Sequence, residues 1–146
     1  MTTVKACLEQ KPIRLIAVRP DDWVVSALQA MRDNRVRAIL VLDDDQLRGI
    51  ITQGDCAIKV LLPGRDAKAV RVREVMTANP MTVRPEDPLE ACLGLMAERG
   101  FRHLPVLDKG RVVGVISIGD VVKDNVRRMG EQIGFLETYI RGHGVR

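Results

Sequence analysis

The 146-residue chain has about the length of one ordinary domain, and 46% apolar with 29% charged residues is the composition of a globular protein. Aromatic residues at 3% leave few platforms for stacking bases, and a net charge of +4 suits an anionic ligand better than a nucleic-acid backbone. Three scattered cysteines (Cys7, Cys56 and Cys92), two histidines and no CxxC pair make no zinc pattern, and no run is apolar enough for a signal peptide or a membrane span, so a reducing cytoplasm is the expected location.

In chain order, Val4-Lys5-Ala6-Cys7-Leu8 reads as a short lead-in turn or helix. Ile16 to Val18 is a short strand that ends at a proline, Pro20. Asp21 and Asp22 are expected N-caps for a helix whose apolar stripe is Val24, Leu28 and Met31. Ala38 to Leu42 reads as a buried strand, Asp43-Asp44-Asp45 as a polar turn and Leu47 to Ile51 as a second strand. Gly54-Asp55 opens another helix, and Pro63 to Lys68 is a linker by composition. Val72 to Met76 then resembles the first lead-in, and the order recurs. Met81 to Val83 is a strand, Glu86-Asp87 a cap, and Leu89, Leu93 and Met96 a helix stripe. Leu104 to Leu107 and Val112 to Ile116 are strands flanking the turn Asp108-Lys109-Gly110, and Gly119-Asp120 opens the last helix. Beyond it Val122, Val126, Met129, Ile133, Leu136 and Ile140 keep the rhythm of a helix seam, widened by Phe135 and Tyr139, while Gly130 and Gly134 argue against one unbroken helix.

The recurrence is a repeat. Moved by 65 residues, segment 18–55 lies on segment 83–120 without a gap. Val18-Arg19-Pro20 falls on Val83-Arg84-Pro85, Met31 on Met96 and Arg37 on Arg102. Val41-Leu42-Asp43 falls on Val106-Leu107-Asp108, Gly49 on Gly114 and Gly54-Asp55 on Gly119-Asp120. One β-α-β-β-α copy cannot bury both faces of its small sheet, whereas two copies can. The expected fold is therefore α/β (α+β): two repeats packed sheet to sheet with pseudo-two-fold symmetry, helices outside, plus a C-terminal helix. The expected divisions are 1–65, 66–128 and a tail at 129–146.

Each copy ends its last strand in a hydroxyl residue three positions before an aspartate, Thr52 to Asp55 and Ser117 to Asp120. That spacing serves as a helix cap. It equally serves a nucleotide, with hydroxyl and helix N–H groups facing phosphate and the carboxylate accepting ribose hydroxyls. Both readings stand on spacing alone. There is no P-loop, GxGxxG or nucleophile elbow, and His103 has no partner histidine or triad, so catalysis is not expected.

Met76-Thr77-Ala78-Asn79-Pro80, Arg102-His103-Leu104-Pro105-Val106-Leu107-Asp108 and Gly114-Val115-Ile116-Ser117-Ile118-Gly119-Asp120 together resemble a cystathionine-β-synthase-type (CBS) domain. The first copy matches more loosely, with Ala38-Ile39-Leu40-Val41 where the family favours Leu-Pro-Val, but it keeps Gly49, Thr52 and Asp55. The resemblance covers roughly residues 1–128 and implies a non-catalytic sensor that binds an adenine nucleotide (AMP, ADP, ATP or NAD(H), with S-adenosylmethionine also compatible) without metal. It implies adenine contacts from Leu15, Ile16 and Ala17 with Arg35, Val36, Arg37 and Ala38, beside Thr52, Gln53, Gly54 and Asp55. In the second copy it implies Pro80, Met81 and Thr82 with Gly100, Phe101, Arg102 and His103, beside Ser117, Ile118, Gly119 and Asp120. Arg14 and Lys123 join the arginines and His103 as candidates to face phosphate. It also implies a homodimer of two pairs and an effector protein that receives the signal, with no membrane partner. The competing readings are a ligand-free dimerisation module and a nucleic-acid-binding regulator using Lys123, Arg127 and Arg128.

Overall fold

The computed structural model describes residues 2–12 and 14–142, the side chains of 131–142 excepted. In chain order the elements are α1 (Val4–Leu8), β1 (Ala17–Val18), α2 (Val24–Asn34), β2 (Ala38–Asp43), β3 (Gln46–Thr52) and α3 (Gln53–Cys56). A π-helical turn, Ala57–Leu61, extends α3. Then follow α4 (Val72–Val75), β4 (Thr77–Ala78), α5 (Leu89–Arg99), β5 (His103–Asp108), β6 (Arg111–Ser117) and α6 (Ile118–Gly142). The 65-residue offset holds to the residue for α2 and α5, β2 and β5, and β3 and β6. The chain is thus a pair of β-α-β-β-α repeats, and their last strands, β3 and β6, meet across the middle.

The hairpins share their irregularities. Each has a bulge at the same place, Val41/Leu42 and Val106/Leu107. Each turns through two residues of positive φ, Asp44 at 48° and Asp45 at 62°, and Lys109 at 52° and Gly110 at 80°. That is the twist a two-residue hairpin requires. In the first repeat β1 lies parallel to β2, β3 antiparallel to β2, and β4 antiparallel to β3. In the second, the expected strand Met81 to Val83 is reduced to one parallel bridge, Val83 with Val106. Proline explains this. The Leu40 N–H donates to the Ile16 carbonyl at 3.2 Å, and the residue equivalent to Leu40 is Pro105, which has no N–H to give.

Two smaller expectations are corrected. Asp22 and Asp87 do not cap the helices. Their carboxylates accept the N–H groups of Arg19 and Arg84, both at 2.8 Å, and close the turn before the helix, whose N-cap residues are Trp23 and Pro88. The buried face of α2 is Val24, Ala27 and Met31, and that of α5 is Leu89, Cys92 and Met96, which leaves Leu28 half-buried and Leu93 exposed at the edge.

The lead-in helices are exchanged. α1 contributes Val4 and Cys7 to the core of the second repeat, and α4 contributes Val72 and Val75 to the core of the first. The exchange is symmetric down to its hydrogen bonds. Val4 N–H meets the Asp87 carbonyl at 2.9 Å as Val72 N–H meets that of Asp22 at 2.8 Å. Lys5 meets Pro85 and Arg73 meets Pro20, both at 2.9 Å. At its far end α6 runs 25 residues, passing through Gly130 and Gly134 in one helix. Val122, Val126 and Met129 lie exposed on it, while the seam side chains of Ile133, Phe135, Leu136, Tyr139 and Ile140 lie outside the described residues.

Candidate functional site

Each hairpin delivers a hydroxyl to a helix start. The Thr52 N–H donates to Asp55 Oδ2, and the Asp55 N–H donates to Thr52 Oγ1, both at 3.0 Å. Ser117 and Asp120 repeat the pair at 2.8 and 3.1 Å. These are reciprocal capping boxes, so the capping duty is present in both copies. The box also fixes each carboxylate through one oxygen. The Gln53 N–H is taken by the Arg37 carbonyl at 3.0 Å, and that of Ile118 by the Arg102 carbonyl at 2.8 Å. Ala38 pairs with Thr52 and His103 with Ser117 across the hairpins. The fold therefore gathers Arg37, Ala38, Thr52, Gln53, Gly54 and Asp55 in one place, and Arg102, His103, Ser117, Ile118, Gly119 and Asp120 in another.

The remaining predicted residues are placed around these two centres. Ile16 and Val36 pack on the first core, and Met81, Phe101 and Ile118 on the second. Leu15, Ala17, Arg35 and Gly100 are exposed, and Pro80 and Thr82 are half-buried. No hydrogen bond among the described residues ties the side chains of Leu15, Pro80 or Thr82 to a box. Arg14 reaches Asn34 instead, at 3.5 Å. Gly100, Phe101, Arg102 and Ile118 line one hollow of about 400 Å³ with Leu93, Met96 and Ala97 of α5.

The two carboxylates have different cations, neither of which the repeat pattern picks out. Lys59, one turn along from Asp55, stands 3.3 Å from its Oδ1 and donates to the Val75 carbonyl at 2.9 Å. The position equivalent to Lys59 in the second repeat is Asp124, a buried acid held by Arg127 at 3.5 Å and Arg128 at 3.1 Å. The cation for Asp120 comes instead from Lys11, after α1. Its Nζ lies 2.8 Å from Asp120 Oδ2 and 3.0 Å from the Val115 carbonyl. Lys11 precedes the aligned segments, and only the exchange of lead-ins carries it to the second repeat.

These surroundings set the charges. Burial raises the Asp120 carboxyl, but hydrogen bonds from Lys11 and Ser117 outweigh it and hold the group below its ordinary value. Burial lowers the His103 imidazole; Asp120 opposes that, and Lys11, Arg102 and Arg37 reinforce it. All three cysteines are buried free thiols. Burial raises Cys7, and pushes Cys56 and Cys92 up to about 11, so they stay protonated. Among the described residues, no group of three or more His, Cys, Asp or Glu is placed to hold a metal, and no helix is long and apolar enough to cross a membrane.

The CBS domain model matches residues 11–61 and 72–126. The chain is 35% identical over 127 residues to the mitochondrial CBS domain-containing protein CBSX3 of Arabidopsis thaliana, covering 84% of this chain and 62% of that protein's length. Among solved structures, it resembles a putative signal-transduction protein with CBS domains from Burkholderia ambifaria, with 43% identity, a TM-score of 0.84, and 86% and 95% of the two chains covered. It also resembles a CBS domain pair solved in complex with 5′-methylthioadenosine and S-adenosyl-L-methionine, with 26% identity, a TM-score of 0.76, and 87% and 98% covered.

Proposed function

The chain belongs to the CBS-domain family, and from that premise we propose that it is a non-catalytic regulatory module that binds an adenine nucleotide and signals by conformational change. Its place is the cytoplasm, and it works as a homodimer that passes the signal to an effector protein. The observation that carries the reading is the duplicated box, in which one carboxylate oxygen is held at a helix start and, in the second copy, the other stays available to a ligand. In the second repeat Asp120 Oδ1 has no protein partner among the described residues, whereas Lys59 stands beside Asp55 Oδ1. The second site is therefore the better acceptor for a ribose hydroxyl. The hollow beside it, with Phe101, Met96 and Ile118 in its lining, falls in the size range of small-molecule sites, roughly 300–1,000 Å³, and receives the adenine ring.

The nucleic-acid reading loses two of its three cations, because Arg127 and Arg128 are engaged by Asp124 and Arg127 also donates to Gln10 at 2.7 Å. The deciding experiment is mass spectrometry of small molecules released from the purified, denatured protein, followed by calorimetry with AMP, ADP, ATP, NAD and S-adenosylmethionine. Release or micromolar binding of one of them is expected. No release and no heat with any of the five leaves a ligand-free dimerisation module as the function.

A further inference from the structure

Asp120 is matched by a cation from a different part of the chain than its counterpart is. In the first repeat the cation is Lys59, on the same helical run as Asp55, and it is tied to the Val75 carbonyl. In the second, the equivalent position is the acid Asp124, and Lys11 of the N-terminal segment supplies the charge. Lys11 shares Oδ2 with the Ser117 N–H and leaves Oδ1 open, so a ligand can reach the carboxylate with the ammonium still beside it. An ammonium has three N–H donors, and the Asp120 and Val115 bonds use two. The Lys11 side chain is 36% exposed, and its flexible stem can re-aim toward a ligand.

The neighbourhood is cationic as well. Arg102 leads into the strand that holds His103, and the field of Arg37, from the other repeat, reaches the same imidazole. Lys11 thus matches the charge of Asp120, Arg127 and Arg128 match that of Asp124, and Arg37 and Arg102 add positive field on the His103 side of the carboxylate. Such a site attracts phosphate oxygens and repels a sulfonium.

Building on the nucleotide reading, we infer that Lys11 is a specificity-determining residue of the second site, which selects phosphate-bearing adenosine ligands over uncharged or sulfonium-bearing ones. The test is calorimetry on the full chain and on its Lys11→Met and Lys11→Arg variants, with ATP, AMP, 5′-methylthioadenosine and S-adenosylmethionine as probes. The wild type binds ATP and AMP more tightly than the other two. Lys11→Met lowers the ratio of ATP to methylthioadenosine affinity roughly tenfold or more, and Lys11→Arg restores most of it. The ratio is taken within one protein preparation, so partial unfolding of a variant cancels. An unchanged ratio in Lys11→Met, or a wild type that prefers S-adenosylmethionine or methylthioadenosine, overturns the inference while nucleotide binding stands. A wild type that binds none of the four probes overturns this inference; the nucleotide reading falls with it only when ADP and NAD give no heat either.

Discussion

Asp55 and Asp120 each commit one oxygen to a helix start; the other oxygen of Asp120 has no protein partner among the described residues, while that of Asp55 faces Lys59. Changing both to alanine should remove the ribose contacts and weaken adenine-nucleotide binding by about 1–3 kcal/mol per site. Calorimetry on the single variants should show the larger loss for Asp120→Ala, because Lys59 already stands against Asp55 Oδ1. Equal affinities in the wild type and the double variant would sink the assignment. His103 gives a second handle. Burial depresses its pKa in the folded chain, so as the pH falls below its ordinary 6.5 the unfolded chain takes up the proton first. The stability from neutral His103 is full above that pH and is lost as the pH falls toward the lower folded value. Asp120, also depressed, contributes stability above the ordinary carboxylate value and loses it as the pH falls through its own lower one. Urea midpoints between pH 7.5 and 5 should fall for the wild type and fall less for His103→Gln. Parallel curves would remove His103 from the account.

At the scale of elements, the exchanged lead-ins press on one glycine in each hairpin. A Cβ on Gly49 would lie 2.7 Å from the Thr77 carbonyl oxygen and 2.8 Å from Met76 Sδ, and one on Gly114 would lie 2.8 Å from Leu8 Cδ2. Gly49→Ala meets backbone and should cost about 1–3 kcal/mol in denaturant melts, whereas Gly114→Ala meets the movable end of a leucine and should cost less. The reverse order would mean that the lead-ins do not sit as described. Both glycines were visible in the sequence as an aligned pair, but not the reason for them. The 65-residue alignment made the helices, the hairpins and the two boxes legible, because alternation and amphipathic spacing are local signals. The exchange was not legible, since Val4 to Leu8 and Val72 to Met76 look alike and nothing local says which core each one enters. Lys11 went unseen for the same reason. The loss of the Met81 strand was readable in principle from Pro105, the one residue of its stretch without a donor.

For the whole molecule, the question is what covers its apolar outside. Ile58 and Leu61 on the π-helical turn and Leu62 just after it are 63%, 77% and 75% exposed, and Val126, which the repeat aligns with Leu61, is 60% exposed on α6. An apolar patch on one half, with Leu61 matched by Val126 on the other, suits a self-complementary contact with a second copy. Light scattering should give a dimer at tens of micromolar, and Leu61→Glu with Val126→Glu should give a monomer that still folds. A dimer that survives both changes, yet falls apart when the chain is cut after Arg128, would place the contact on the tail instead. The exchange of α1 and α4 also gives the molecule a birth order. The first core and its sheet need nothing beyond Ala78, so they can close while the rest of the chain is still being made. The second core runs to Val121 and needs Val4 and Cys7, which leave the ribosome ahead of the first core. That apolar segment is thus made well before the core it belongs to is complete, and is held waiting across more than a hundred residues of growing chain.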